Sequence, residues 1–430
     1  MPRKIAESLI RHELWLVALP AGAAFLDVRL LLPACMGALL FWPLRKLATG
    51  AWTRRTPADL PVLLILLSAA VSLAVSALPE ISYPQVLRLL TGLALFYAAV
   101  NWTDNEDRLR LLCTGLTAAG VALGVLAFFS VDWDGTKFPF IPETVYNRIP
   151  TLVSDVVHPN VLGGTLLLSA PLAAAVVLWG GMKSRWLRWL GAAAFFWMAG
   201  VLVLSQSRGA LLGLGIAVLV LVALRWRWGW LGFVAAIAGL VWAIDAFGSL
   251  NLADLLFGSR VFGGVRGRME IWGRGIFMLQ DFPFTGIGMG LFPMVVDRIY
   301  PFFSTSEMSV LHAHNLFIQI GIDLGIPGLI AWLAVFVSTA WTGWTVMRSG
   351  ERYAGMGAGV LAVQVALTVH GLFDAVIWGQ VRGAPLVWLV WGFAMAVWNL
   401  HTQERRSLGG SKHSWPKTIK PLVPASPRSG

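Results

Sequence analysis

The sequence is poor in charge. Only 13% of its 430 residues are Asp, Glu, Lys or Arg, against 57% hydrophobic residues and a mean hydropathy of +0.71. A soluble domain cannot cover that much apolar surface, so soluble enzymes and soluble binding modules drop out. Cysteine is scarcer still. Cys35 and Cys113 both fall inside apolar runs, and they form neither a ligand cluster nor a disulfide framework. The P-loop, the dinucleotide fingerprint, a Ser-His-Asp spacing and H-E-x-x-H are all missing. No small-residue cleavage site marks the end of the first apolar run, which therefore reads as a retained span. No internal repeat is visible, and the charges gather at one rim instead of mid-span. Both features argue against a transporter of lipid-linked glycans built from two related halves.

What is present is a series of long, nearly uncharged runs. They predict an all-α, polytopic integral membrane protein with about twelve spans, near residues 13–27, 29–44, 60–78, 84–101, 109–130, 160–179, 186–204, 209–224, 229–247, 326–347, 354–373 and 384–400. The chain holds 22 tryptophans, and Trp102, Trp133, Trp186, Trp226, Trp228 and Trp398 fall at span ends, where an amphipathic ring suits the interface. The net charge of +11 reads as membrane topology and not as nucleic-acid binding. With both termini in the cytoplasm, 22 of the 33 basic residues fall in inner segments, as the positive-inside rule requires. The expected organisation is an N-terminal bundle over 1–250, an outer loop over 251–325, C-terminal spans over 326–400 and a disordered basic tail over 401–430.

The outer loop is the segment the other parts serve. It carries Arg260, Arg266, Arg268, Arg274 and Arg298 and ends in His312-Ala313-His314-Asn315. Residues 268–279 predict an amphipathic helix with Met269, Trp272, Ile276 and Leu279 on its apolar face. The run Gly286-Ile287-Gly288-Met289-Gly290 could bring backbone N–H groups to a phosphate. Residues 314–324 predict a helix dipping into the membrane, broken at Gly325-Ile326-Pro327-Gly328, with its N-terminus offered to anions. The same orientation brings Arg208, His158, His370, Asp374 and Arg382 to the outer face. Two outer connections accompany the long loop. One, over 131–159, holds Asp132, Asp134, Lys137, Arg148 and Asp155 and ends in His158-Pro159-Asn160, which opens a helix. The other is the tight turn Ser205-Gln206-Ser207-Arg208-Gly209.

Each polar residue has a plain structural reading beside the chemical one. Arg208 could snorkel to the interface or grip a diphosphate bidentately. Arg266 and Arg268 could be solvated loop charges, and Arg88 a second snorkelling arginine or a phosphate contact. His312 and His314 could anchor a loop, hold a metal or supply a general base, whose ordinary pKa of about 6.5 suits proton transfer. With no third histidine nearby and no cysteine ligand, no metal is expected. His370 and Asp374 stand four apart on one helical face and could hydrogen-bond.

Taken in order, Ser205-Gln206-Ser207-Arg208-Gly209-Ala210, Arg268-Met269-Glu270-Ile271-Trp272, Phe284 to Phe292, His312-Ala313-His314-Asn315-Leu316 and Gly325-Ile326-Pro327-Gly328-Leu329 resemble the O-antigen ligase/O-antigen polymerase family. His158-Pro159-Asn160 is similar to a further short motif of that family. The resemblance implies a GT-C-type glycosyltransferase of the bacterial inner membrane with a periplasmic site. Such enzymes take a glycan from undecaprenyl diphosphate and place it on the lipid A–core, with no cofactor and no metal. Carried over, Arg208 and Arg268 would bind the diphosphate, with Arg268 preferred to Arg266 for its spacing to Trp272. His314 would deprotonate the acceptor, His312 would assist, and His158, Asn160, Asn315, His370 and Asp374 would support. An O-antigen polymerase or a protein O-oligosaccharyltransferase would share this donor chemistry.

Overall fold

A computed structural model describes residues 2–131, 133, 141–149, 157–179, 185–247, 265–302, 310–350 and 352–409. Asp132, Asp134, Lys137, Asp155 and Arg260 lie outside the described residues, as do positions 410–430 of the expected tail.

The described chain is helical apart from turns and one isolated bridge between Val131 and Val157. All twelve expected spans fall on helices. Eight are long and apolar enough to cross a membrane: Val28–Thr49, Pro79–Trp102, Glu106–Ser130, Pro159–Trp179, Trp186–Leu204, Arg208–Arg225, Leu316–Arg348 and Ala354–Gly371. Glu13–Phe25, Asp59–Val75 and Leu231–Ala246 are apolar but shorter. The last expected span lies in Pro385–Gly409. This helix runs past position 400, where the sequence predicted a disordered tail. Buried His401 lies tilted 6.5 Å from the Trp398 ring, and Thr402 Oγ1 donates to the Trp398 carbonyl, so the helix has packing to continue on. The protein is an all-α, polytopic membrane protein.

The middle of the bundle is built on close helix crossings. Gly92 faces the ring of Trp388, and Gly392 faces the backbone of Phe96. A Cβ at either position would come within 2.3–2.4 Å of its neighbour. Small residues of this kind let helices of Pro79–Trp102 and Pro385–Gly409 approach where lipid supplies no hydrophobic drive. Phe96, Trp388, Trp391, Trp332 and Phe336 fill the space beside them with edge-on and stacked rings.

Two features set the site end of the bundle. The first is a break in the helix over Leu316–Arg348. Gly325 has φ +72°, and a Cβ there would lie 2.7 Å from the Phe284 carbonyl carbon. Ile326 N–H instead donates to the Pro283 carbonyl at 2.7 Å. A short helix over 316–324 is thus set off from the long span, as the sequence predicts. The second is the helix Val265–Asp281, which lies against it. Its buried side is Gly267, Ile271, Gly275 and Met278, not the predicted stripe: Met269 and Ile276 are exposed. A Cβ on Gly275 would meet Ile318 at 2.7 Å, so close approach to the short helix, and not side-chain bulk, selects the buried face. Ile271 and Met278 join Ile287, Phe292, Val296, Val310, Ala313 and Ile322 in a separate small core under this layer.

Candidate functional site

Three helices begin and one ends at the same place. The starts are Pro159, Arg208 and Leu316, and the end is Gly371. Each start is fixed locally. His158 Nδ1 accepts from Asn160 N–H, with Pro159 opening the helix. Asn315 Oδ1 accepts from Phe317 and Ile318 N–H, a full N-cap, while its Nδ2 donates to the Leu372 carbonyl at 3.2 Å. The turn before Arg208 is held by Gln206, in left-handed backbone at φ +51°, whose Nε2 donates to Tyr146 Oη at 2.7 Å. Tyr146 in turn donates to the Leu204 carbonyl. Each of the three helix N-termini brings positive partial charge to this end, partly offset by the helix C-terminus at Gly371.

Asp374 is the hub. It lies just beyond the end of Ala354–Gly371 and is buried. Its Oδ2 accepts from Asn160 Nδ2 at 2.9 Å and its Oδ1 from Ala375 N–H at 2.9 Å. His312 Nε2 lies 3.5 Å and His314 Nδ1 3.9 Å from the same Oδ1. The two imidazoles pack with centroids 4.3 Å apart, and His314 N–H donates to His312 Nδ1. His314 itself has φ +47°, a strained conformation for a residue with a side chain.

The electrostatics follow from this crowding. Burial pushes the His314 imidazole down to about 4, aided by His312, Arg268 and His158, while Asp374 opposes the shift. Burial alone would raise the Asp374 carboxyl, but His312, His314 and His370 hold it well below the usual carboxylate range. Arg268, from Val265–Asp281, sits 5.8 Å over the Phe373 ring. Its charge is destabilised by burial, favoured by Asp374 and opposed by Arg208, so the two arginines feel one another across the site.

The structure therefore gathers Arg208, Arg268, His158, Asn160, His312, His314, Asn315 and Asp374. His370 is placed differently from the expected hydrogen bond. Its ring packs beside Gly164 and Gly209, and its effect on Asp374 is electrostatic. The backbone keeps its i, i+4 bond here, Asp374 N–H donating to the His370 carbonyl at 3.0 Å, while the Asp374 carboxylate takes Asn160 and Ala375. Arg88 stands apart, donating to Gln85 Oε1 in a crevice lined by Met289, Trp378 and Trp388. Arg266 belongs to Val265–Asp281, but its side chain lies outside the described residues. The glycine run is also corrected. Gly286 N–H goes to the Phe282 carbonyl, Ile287 N–H to the Ile322 carbonyl and Gly290 N–H to Asp323 Oδ1, so these amides are spent on the protein and not on a phosphate.

His312, His314 and Asp374 present three ligand atoms within 4.8 Å of one another, a spacing that could hold a metal ion. The surroundings fit that poorly. The hydrogen bond at His312 Nδ1 leaves Nε2 able to ligate, so what disfavours a cation is the repulsion from Arg268 and Arg208. The donor set fits proton handling better.

Residues 193–333 match the family model described as O-antigen ligase. That segment resembles an O-antigen ligase domain. The chain is also 27% identical over 284 residues to the exopolysaccharide production protein ExoQ of Rhizobium meliloti (strain 1021). That match spans 63% of this chain and 62% of the length of ExoQ. The O-antigen ligase match takes in Arg208, Arg268, His312 and His314. Asn160 and Asp374 lie outside it and reach the site only through the fold.

Proposed function

We propose that this membrane enzyme transfers a glycan from undecaprenyl diphosphate to a hydroxyl of the lipid A–core on the periplasmic side of the inner membrane, inverting the anomeric centre and using no metal. The observation that carries the reading is the meeting of two arginines with a histidine pair on one buried carboxylate. Arg208 and Arg268 offer positive charge where a diphosphate leaves. His314 turns Nδ1 towards Asp374, leaving Nε2 for the acceptor proton. The acceptor oxygen attacks the anomeric carbon as the carbon–oxygen bond to the diphosphate breaks. The bonding pair leaves with the diphosphate, the proton moves to His314, and Asp374 steadies the imidazolium that forms. A low His314 pKa keeps the imidazole neutral and able to accept at working pH.

A second reading has the same donor but a growing glycan as acceptor, and the likeness to a protein named for exopolysaccharide production favours it. One assay separates the two. Purified protein in detergent with EDTA receives an undecaprenyl-diphosphate-linked glycan and lipid A–core, beside His314→Ala. Product on lipid A–core, lost in the variant, is expected. Chain growth on the lipid carrier without transfer identifies a polymerase. Loss of activity with EDTA, restored by a divalent metal, would replace the proton-handling reading with a metal site.

A further inference from the structure

The short helix over 316–324 carries two buried polar side chains that the chemistry above leaves unused, Gln319 and Asp323. They are joined to each other and to the histidine turn. Gln319 Nε2 donates to Asp323 Oδ1 at 3.0 Å, and Gln319 Oε1 accepts from Ala313 N–H at 2.8 Å. Ala313 is the residue between the two histidines and is itself fully buried. Asp323 is tied down from three other directions. Its Oδ2 accepts from Trp378 Nε1 at 2.8 Å, its Oδ1 from Gly290 N–H at 3.3 Å, and its carbonyl from Ser72 Oγ at 2.6 Å.

The order of donors matters. An amide side chain can turn either end towards a neighbour. With the N–H groups of Trp378 and Gly290 already aimed at its two oxygens, Asp323 acts as an acceptor and takes the Nε2 end of Gln319. Only Oε1 is then left for Ala313, and an N–H there needs an acceptor. A flipped Gln319 would lose both bonds. We propose that Gln319, held in one amide orientation by Asp323, is a positioning residue that fixes the His312-Ala313-His314 turn and thereby aims the base of the transfer reaction. The strained backbone of His314 supports this, since such a conformation persists only where its surroundings over-determine it. The inference rests on the glycan-transfer reading for its kinetic consequence but not for its geometry.

Three variants test it in the full-length protein. Gln319→Leu removes both bonds. Gln319→Glu keeps an acceptor for Ala313 but sets two carboxyl groups against each other. The double variant Gln319→Glu/Asp323→Asn restores a donor facing an acceptor. Each single variant should lower kcat about tenfold to a hundredfold, as an aim lost by about an ångström does, with donor KM little changed. The double variant should regain part of what Gln319→Glu loses, since an amide at position 323 turned to the new carboxylate at 319 gives up the oxygen that Gly290 N–H uses. Unchanged kcat, or a loss the double variant leaves in place, would overturn the inference. A readout independent of transfer is histidine ring NMR. His314, facing His312, Asp374, Arg268 and His158, titrates near 4 in the wild type and should move upward in Gln319→Leu as the turn relaxes. An unmoved midpoint overturns the positioning role even if the wild type transfers nothing. An inactive wild type with a moved midpoint overturns the ligase reading alone.

Discussion

The two ends of the bundle handle charge in opposite ways. At the end away from the histidines, Glu13 accepts from Arg45 and, at 3.1 Å, from Asn101 Nδ2. Asn101 Oδ1 takes Arg54 N–H, and Arg54 Nη1 donates to the Thr103 carbonyl at 2.8 Å. Nearby, Glu106 pairs with Arg110 and Arg352, and Asp104 with Arg108. The acids and bases here meet partners of the other sign, and the result is a staple between Glu13–Leu26, Phe41–Thr49 and Pro79–Trp102. At the other end one carboxylate, Asp374, faces three imidazoles with Arg268 and Arg208 close by. His314 Nδ1 is buried and makes no hydrogen bond among the described residues. The first cluster pairs its acids with bases, whereas at the second Asp374 lies close to Arg268, with Arg208 near enough to oppose the Arg268 charge, an arrangement that suits an anion. The difference explains why burial alone cannot distinguish stability from function here, and why the ratio of charges can.

The comparison breaks most visibly under truncation. Arg45→Ala leaves buried Glu13 with Asn101 as its hydrogen-bond partner and only the more distant charge of Arg54, and removing one partner of a buried pair costs about 3–5 kcal/mol. Folded protein should fall steeply in thermal unfolding, while kcat per folded molecule stays near wild type. Arg268→Ala should do the reverse. Relieving positive repulsion leaves the fold intact, but transfer should fall roughly a hundredfold to a thousandfold, the usual cost of losing one electrostatic contact to a transition state. Arg268→Lys should recover only part, because a lysine cannot grip a diphosphate bidentately. If both truncations damage only stability, the contrast between the two ends is wrong.

A subtler effect is expected with pH. A base must be neutral to accept a proton, and burial holds His314 down at about 4. Activity should therefore persist as pH falls through the ordinary histidine range and fail only near pH 4. At about pH 5 an unperturbed imidazole would be only ~3% neutral, so wild-type kcat/KM should exceed that expectation by about thirtyfold. The limb in kcat should lie higher than the limb in kcat/KM, because the bound diphosphate favours the imidazolium. Coincident limbs near 6.5 would mean that the histidine pair is solvated in the working enzyme.

The parts of this arrangement legible beforehand were local ones. The short helix, its break at Gly325 and its start at Asn315 all follow from near neighbours in the chain, and the order of the arginine and histidine motifs does too. What depended on packing was hidden. Asp374 looked like a partner for His370 because both sit on one helical repeat. The helix stops at Gly371, and the next turn carries the carboxylate to histidines some sixty positions away in sequence. The glycines at 286, 288 and 290 looked like a phosphate cradle. Gly286 N–H is taken by the Phe282 carbonyl and Gly290 N–H by Asp323 on the kinked helix, whose position no local pattern encodes. Arg88 could be read as a snorkelling arginine or a further phosphate contact, and it donates to Gln85 in a crevice apart from the histidines. Gln319 and Asp323 carried no signal at all, since an amide and an acid four apart on a helix are common.

The smallest of these effects concerns Asn160. It lies on the helix Pro159–Leu166, outside the matched family segment, and its one role at the site is to donate to Asp374 Oδ2. A hydrogen bond to a charged group contributes about 1.5–3 kcal/mol. Most of that should appear as a displaced Asp374 and a less well-held imidazolium, because the helix start keeps its proline and its His158 cap. Asn160→Ala should thus lower kcat about tenfold, leave donor KM unchanged and leave thermal unfolding nearly where it was. Asn160→Asp should be worse than Ala despite its similar size, since it replaces the donor with a second acid against Asp374. Such an order, with the isosteric change more harmful than the truncation, would place Asn160 in the unbalanced cluster at this end. A loss of stability without a loss of rate would move it to the class of Glu13 and Arg45.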